Sequence, residues 1–550
     1  MVFPLHFLQE WEPPGIPPEQ FAFRSTVFAV TIVVYTIIVL GFGYWAYRKT
    51  RSTEDWMAGG RRQPGWLVGL SWMATYYSAV MIIGFGGKAA TVGGLAWSWV
   101  AAWNALFGGF LSATLAYWVW RAGKNLGAQT IPDLLAKRYP GKAGKIQQVL
   151  LALFVWIFMI FYVVATNKAA GNILQVLAGW PYWVGVTLAA VVAFVYIAIG
   201  GLIADLYTDA LQAVILMVGT IAMAATAVVL TGGLAEGYGA LKEIASQIEG
   251  PLAVTSNQWP PIGHPLWWVS LSICIFTSFN IFWPHLPQRF LAYRSKKQVA
   301  LGIIVASIAA AIPVFCVYVI AAPLAMPILI KESLTKWNAP DIQTAYSWFL
   351  GHPDLVIPKL IETMWPIWAS AIYLAAIFCA IMSTTDGIMH LAGAVIGSDV
   401  VRGWVKPTIS ERGVFRVIWV ATLIFGILGW LFALYPVAPV LENFAFAISV
   451  PSAALAGPLL GVFWKRITRY GALTGMIVGA GFTIIDNFYS CFATNWTPGK
   501  MLSFGYFIPP FEWIHPWVMG VVLSLVVTVI VSLVTPKEPK EHLEKVFAPV

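Results

Sequence analysis

Long apolar runs recur from one end of the 550-residue chain to the other, and most charged residues fall between them. A run of about 20 apolar residues wound as a helix crosses a hydrocarbon layer of about 30 Å. Inside lipid no water bonds the backbone, so a spanning segment must be a helix or part of a closed barrel. Runs of this length predict helices, and the chain reads as an all-α polytopic membrane protein. Composition agrees: 59% of residues are hydrophobic and 10% charged, against about 25% charged in soluble domains. These values exclude disordered, collagen-like and disulfide-scaffold classes. Cys274, Cys316, Cys379 and Cys491 lie far apart, without the paired spacing of a zinc or thiol redox site. The net charge of +9 reads as loop charge that orients the chain in the bilayer, so lipid is the expected partner and nucleic acid is not.

The runs are read as about thirteen spans: Thr26–Tyr47, Trp66–Ala89, Trp97–Trp120, Ile146–Leu174, Tyr182–Ile199, Asp209–Leu230, Pro265–Leu286, Ala300–Leu324, Trp365–Ala392, Phe415–Leu434, Val437–Phe463, Gly471–Phe488 and Trp517–Val534. Lysine and arginine crowd alternate loops. Arg48, Lys49, Arg51, Arg61 and Arg62 follow span 1; Arg121, Lys124, Lys137, Arg138, Lys142 and Lys145 follow span 3; Arg289, Arg294, Lys296 and Lys297 follow span 7. The opposite loops hold only Arg24, Lys242, Lys331, Lys336, Lys359 and Lys500. The positive-inside rule then puts the N-terminus outside and the C-terminus inside. Residues 1–550 are expected to form a single transmembrane domain, with 1–25 an extracellular segment and 535–550 a charged cytoplasmic tail. The Pro-rich, acidic start does not read as a cleaved signal peptide.

Two spans carry residues that break helices. Span 2 reads GLSWMATYYSAVMIIGFGGKAATVGG, and span 7 reads SICIFTSFNIFWPHLPQRF. They stand five spans apart, which suits an inverted repeat of spans 2–6 and 7–11, with the breaks at a shared binding site. Two ordinary kinked helices would read the same way. Seven scattered histidines, without HExxH or GxSxG, do not suggest an enzyme.

Several motifs carry a family resemblance: TEDWMAGGR before span 2, IGGLIADLYTDALQ between spans 5 and 6, WPHLPQRFLAYRS at span 7, AIMSTTDGIMHLAGAVIGSDV in span 9 and GVFWKRITRYGALTGMIVGAG leading into span 12. In this order they resemble the sodium/solute symporter family, with the proline- and pantothenate-type branch most alike. The resemblance implies a leucine-transporter-like fold in the cell membrane. It implies secondary active symport of a small organic solute, carboxylate or amino-acid-like, with sodium as the coupling ion. A proton-coupled or uncoupled transporter, or a transporter-like solute sensor, are the alternatives.

The resemblance places sodium on the carbonyls of Ala74, Tyr77 and Ala380 and the hydroxyls of Ser383 and Thr384. Ala380, Ser383 and Thr384 share one helix face, and a hard cation takes oxygen ligands. Bonds from both hydroxyls back to the preceding turn are the structural alternative. Tyr76 stands where proline-type members carry Asp and sugar-type members Asn. Asp209, read as the cytoplasmic start of span 6, aligns with an ion-path residue of some relatives and equally suits a first-turn acid. Asp386, one turn after Ser383, is an acid deep in a span and a candidate for the same path, although Gly387 lacks the hydroxyl of two-sodium relatives. Asp205 reads as a loop acid facing an inside arginine, and His285 and Arg289 as gate or loop anchors near the cytoplasm.

Solute contacts in such a fold come from the two breaks, with spans 4 and 9 nearby, which makes Thr75, Tyr76, Ser78, Met81, Ser278, Phe279, Asn280 and Trp283 the candidates. Asn280 equally suits an interhelical hydrogen bond, and Phe279 and Trp283 equally suit plain packing. Lys88 lies about 18 Å beyond Tyr76 along a helix. It and Lys168 are either snorkelling cations or an outer vestibule that attracts an anionic solute.

Overall fold

The computed structural model describes residues 11–48, 52–256 and 258–550, without the side chains of 46, 47, 53, 196–200 and 379. Lys49, Arg51 and the first ten residues therefore lie outside the described residues. The described chain is helical, and its single β-bridge joins Gln63 to Tyr293.

The main helical stretches are α1 (Pro18–Tyr47), α2 (Gly65–Tyr76), α3 (Val80–Leu126), α4 (Lys142–Ala178), α5 (Tyr182–Val195), α6 (Gly201–Leu230), α7 (Pro265–Ser278), α8 (His285–Phe290), α9 (Lys296–Thr335), α10 (Ile367–Val405), α11 (Glu411–Leu434), α12 (Val440–Val462), α13 (Arg469–Ala493) and α14 (Pro516–Val534). Among the described residues ten helices are long and apolar enough to cross a membrane. Spans 2, 5 and 7 of the expected thirteen are not among them as separate long helices: span 5 falls in the shorter α5, and the other two are split. Span 2 is split between α2, with 12 residues, and the start of α3; span 7 is split between α7, with 14, and α8. Twelve residues rise only about 18 Å, so each piece alone falls short of the bilayer.

Glycine decides two of the turns. Gly94 (φ 47, ψ −146) turns the chain inside α3, between the segments read as spans 2 and 3. Gly201 (φ 57, ψ −159) separates α5 from α6. Side chains avoid such positive φ values, and a Cβ at Gly201 would fall 2.3 Å from the Trp56 ring.

α10 packs along α6, α2 packs along α9 and α6, and α12, α13 and α14 form a compact group. The strand-like segment before α2 meets the chain leaving α8: Gln63 N donates to Ala292 O at 3.0 Å, and Arg294 N to Gln63 O at 3.2 Å. Both split spans are thereby joined at one end of the fold. The loops between α6 and α7 and between α9 and α10 are helical in part, at Leu234–Ala245, Ile342–Gly351 and Pro353–Met364.

The C-terminal tail is docked against the membrane domain. Helix Lys540–Val546 buries Val546. Asn125 Nδ2 donates to the carbonyls of Val546 and Ala548, and Glu538 accepts from the backbone N–H and guanidinium of Arg469.

Candidate ion and solute site

α2 is helical up to Tyr76; Tyr77, at φ −93 and ψ 68, leaves the helical path. Ser78 Oγ accepts the Val80 N–H at 3.2 Å and starts the next helical stretch. Tyr77 Oη donates to Pro313 O at 2.9 Å and pins the break to α9. The break therefore turns carbonyls near Ala74–Tyr77 away from a regular helical ladder.

α10 faces this break with its small hydroxyl residues. Ser383 Oγ donates to Ala74 O at 3.1 Å and lies 3.4 Å from Ala380 O. Thr384 Oγ1 donates to Thr75 O at 3.2 Å. Both hydroxyls are buried, and both reach across to α2, a contact that ordinary back-bonding within α10 does not require. Ala74, Ala380, Ser383 and Thr384 thus meet at one place, with Tyr77 at the end of the same turn. The Thr75 carbonyl joins this group, whereas the sequence offered Thr75 only as a solute contact. The oxygens are neutral carbonyls and hydroxyls, a donor set suited to a hard monovalent cation. Among the described residues no three His, Cys, Asp or Glu side chains gather in a metal-holding group.

Next to this group lies a buried charge cluster whose geometry corrects three sequence expectations. Asp205 is a fully buried residue of α6, not a loop acid, and its Oδ2 is 2.8 Å from Arg289 Nη2. Arg289 is itself buried in α8 and is not a solvent-facing loop residue. Its Nη2 also reaches Asp209 Oδ2 at 3.0 Å, and its Nε donates to Ser71 Oγ at 2.9 Å. Asp209 is not a first-turn acid, because α6 already starts at Gly201. Asp209 Oδ2 accepts from Ser71 Oγ at 2.5 Å and from Thr75 Oγ1 at 3.2 Å. The break at Gly201 carries both acids into the helix, Asp205 about one turn and Asp209 about two turns past it. Asp386 is fully buried in α10, within electrostatic reach of Arg289, Asp205 and Asp209.

The solute candidates divide. Tyr76 Oη donates to Asn104 Oδ1 at 2.5 Å and lies 3.3 Å from Thr277 O, so its phenol ties the end of α2 to the end of α7. Asn280 Nδ2 donates to Gly108 O at 3.1 Å, while its Oδ1 is buried without a partner. Trp283 is fully buried between Tyr76, Phe276 and Phe444, with Nε1 unpartnered. Ser78 Oγ lies 3.5 Å from Tyr162 Oη. Met81 packs under Tyr318, whose hydroxyl reaches the Met81 carbonyl at 3.3 Å. Two candidates are not brought to this group: Ser278 bonds back to Cys274 O at 2.5 Å, and Phe279 is 37% exposed and stacks on Phe282.

The structure buries two more polar side chains, His285, which the sequence reading offers as a gate or loop anchor, and Asn167, which it does not name. Both ring nitrogens of His285 are buried without partners, and its ring stands edge-on to Tyr162 at 5.5 Å. Asn167 is fully buried in α4, with both amide atoms unpartnered. An amide in the apolar run FVWIFMIFYVVATNK was a visible signal, since intramembrane polar groups are costly.

Lys88 and Lys168 are both paired. Lys88 Nζ is 3.0 Å from Glu442 Oε1. Lys168 Nζ is 2.8 Å from Asp354 Oδ2 and donates to Ala438 O at 3.1 Å. Asp354 also accepts the Val440 N–H at 3.0 Å. Glu442 borders a cavity lined by Phe85, Phe276, Phe504 and His515.

The profile of the sodium:solute symporter family matches residues 56–479, which take in both breaks, α10 and the charge cluster. The chain belongs to the sodium:solute symporter family. Family membership makes it a multi-pass integral membrane transporter rather than an enzyme. The sodium/pantothenate symporter of Escherichia coli (strain K12) is 28% identical over 469 residues, covering 82% of this chain and 88% of that protein. The sodium/glucose cotransporter of Vibrio parahaemolyticus is 25% identical over 487 residues, covering 84% and 86%. In fold, this symporter resembles a Na+-coupled sialic acid symporter solved in a substrate-bound, outward-open state. The TM-score is 0.70 at 19% identity, over 93% of this chain and 99% of that one.

Proposed function

We propose that this protein is a sodium-coupled symporter that moves a small organic solute by alternating access. The observation that carries the reading is the pair of bonds from Ser383 and Thr384 to the carbonyls of Ala74 and Thr75 at the break of α2. Each hydroxyl spends its proton on a carbonyl. A sodium ion entering there would take both carbonyl and hydroxyl oxygens as ligands once the hydroxyls rotate, and Ala74, Tyr77, Ala380, Ser383 and Thr384 are the assigned set. Because α2 and α10 supply opposite sides of this set, ion binding would hold them together, which is how an ion biases one state of a transporter. Thirteen spans with the N-terminus outside, and spans 2–6 and 7–11 as an inverted repeat, form the topology of this reading; the two splits supply its symmetry. Asp209 and Asp386 lie along the ion path on its inner side.

The solute class is a carboxylate or amino-acid-like molecule. The sodium/pantothenate symporter and the sodium/proline symporter of Salmonella typhimurium, 25% identical over 473 residues, support it, since both named solutes carry a carboxylate. Tyr76, Ser78, Met81, Asn280 and Trp283 would line its pocket, together with His285 and Asn167.

Thermal unfolding of the purified protein in sodium chloride and in choline chloride, at equal ionic strength, tests the ion site. With sodium at 100 times its dissociation constant, stability rises by about 2.7 kcal/mol. The rise is expected for the native protein and not for Ser383→Ala/Thr384→Ala. Equal unfolding in the two salts would overturn the sodium assignment. Sodium-driven uptake of carboxylates and amino acids into proteoliposomes then identifies the solute.

A further inference from the structure

An open cavity of about 920 Å³ lies between helix Ile131–Arg138, the first two turns of α4 and the end of α10. That is the size of a small-molecule pocket. Its lining shares no residue with the two breaks, the oxygens assigned to sodium or the charge cluster. Lys137, Lys145, Arg402 and Asp133 bring charge to it, and Gln148 and Ser398 bring neutral polar groups. The two lysines belong to the basic stretch after span 3, on the side expected to face the cytoplasm.

Buried side chains build the wall. Asp399 is fully buried and accepts from Thr130 Oγ1 at 2.8 Å and from Gln148 Nε2 at 2.8 Å. The second bond fixes the Gln148 amide, which is 6% exposed, and leaves its Oε1 without a donor among the described residues. Ser398 is 8% exposed, and its hydroxyl has no hydrogen-bond partner among the described residues. A helical serine has the option of bonding back to the preceding turn, and this one does not take it. Lys137 and Asp133 pair at 2.9 Å, and Arg402 Nη2 is 2.6 Å from Glu411 Oε1. Lys145 has no carboxylate partner among the described residues. Exposed apolar residues flank the cavity: Trp404 and Val405 follow Gly403 of the lining, and Ile146 follows Lys145. Exposed tryptophan beside basic residues suits the headgroup level of a bilayer, where basic pockets between spanning helices hold anionic headgroups.

The geometry points to a binding site for a phosphate ester that carries free hydroxyl groups, the chemistry of a glycerol phosphate headgroup. Lys145, Arg402 and the Ser398 hydroxyl donate to its phosphate. Gln148 Oε1 and Asp133 Oδ1 accept from its hydroxyls, since Asp133 Oδ2 already takes the Gln129 N–H and Lys137. An anion without hydroxyls would leave both acceptors unused and would meet Asp133 as a like charge. The ester comes either from a phosphatidylglycerol-type lipid or from solution as glycerol phosphate; the recognising chemistry is the same. When bound, it ties the end of α10 to the start of α4. It does not depend on the sodium or solute assignments.

Native mass spectrometry of the full-length protein in detergent tests the site, with short-chain phosphatidylglycerol, phosphatidylcholine of the same chains, or glycerol phosphate as the probe. Phosphatidylglycerol is expected to bind more tightly than phosphatidylcholine, whose headgroup has no free hydroxyl and carries a quaternary cation. Lys145→Gln is expected to weaken that binding by about fivefold, and Ser398→Ala by about tenfold. Lys540→Gln, at an exposed tail lysine outside the cavity, should leave it unchanged. Binding of glycerol phosphate that is lost in Ser398→Ala supports the site with a soluble source, and binding of phosphatidylglycerol alone supports it with a lipid source. Equal binding of the two lipids would overturn the assignment. So would phosphatidylglycerol binding that is the same in Ser398→Ala as in the native protein, because attraction to a basic surface explains that result without a site. Ser398→Ala removes one oxygen and fills no space, so this variant should keep the fold, and its unfolding midpoint checks that it does.

Discussion

At Tyr76 a phenol stands where a carboxylate or an amide is found in the proline- and sugar-type branches, and the structure gives it a different task. Its hydroxyl donates to Asn104 and approaches the carbonyl of Thr277, so it joins the two breaks instead of facing the ion oxygens. The charge of an ion in those oxygens would then be met by carbonyl and hydroxyl dipoles alone. In Tyr76→Phe the Asn104 oxygen loses its donor in a buried site. A loss of about 1–3 kcal/mol is expected, read by thermal unfolding in detergent, while the sodium-dependent shift remains. Loss of the sodium shift in Tyr76→Phe would instead make the phenol part of the ion site.

The same contact depends on a neighbouring element. α3 passes the two breaks at Gly108, where a Cβ would fall 2.7 Å from both Tyr76 Oη and Thr277 O. The Gly108 carbonyl also accepts from Asn280. Gly108→Ala is expected to cost about 1–3 kcal/mol by overpacking. Adding Tyr76→Phe should return part of that cost, because one of the two clashing atoms is then gone. A double-mutant cycle on unfolding checks it, and strictly additive losses would refute the shared contact. The charge cluster is also an element-scale construction. It exists because α6 starts at Gly201 and because α8, only six residues long, turns Arg289 inward.

At the scale of the whole molecule, ion pairs tie separate elements together. Lys168 on α4 meets Asp354 on helix Pro353–Met364, which in turn holds the first N–H of α12. Lys88 in the second half of span 2 meets Glu442 on α12. Neither lysine reaches out to the interface as a lone cation, so the snorkelling reading gives way to pairing. Each pair bridges two elements far apart in sequence. The coupling energy between Lys168→Met and Asp354→Asn is expected at about 0.5–3 kcal/mol, from unfolding of the native protein, the two single variants and the double. A coupling near zero would mean that the pair adds nothing to the packing of these two elements.

The amino-acid sequence by itself determined that the chain is a bundle of membrane helices, because only hydrogen-bonded helices satisfy such apolar runs in lipid. Its resemblance to the family pointed to the oxygens of Ala74, Ala380, Ser383 and Thr384, and the i, i+3, i+4 spacing of the last three puts them on one helix face. Tertiary structure alone decided how the charges and polar groups are partnered. Arg289 reads as one more basic residue near QRFLAYRSKK, and nothing local says that it folds back onto Asp205 and Asp209. The partners of Lys88 and Lys168 lie 354 and 186 residues further along the chain, and Tyr76 finds Asn104 only because Gly108 lets α3 approach. Helix identity is written in neighbouring residues, whereas the pairing of a buried charge depends on which elements meet in space.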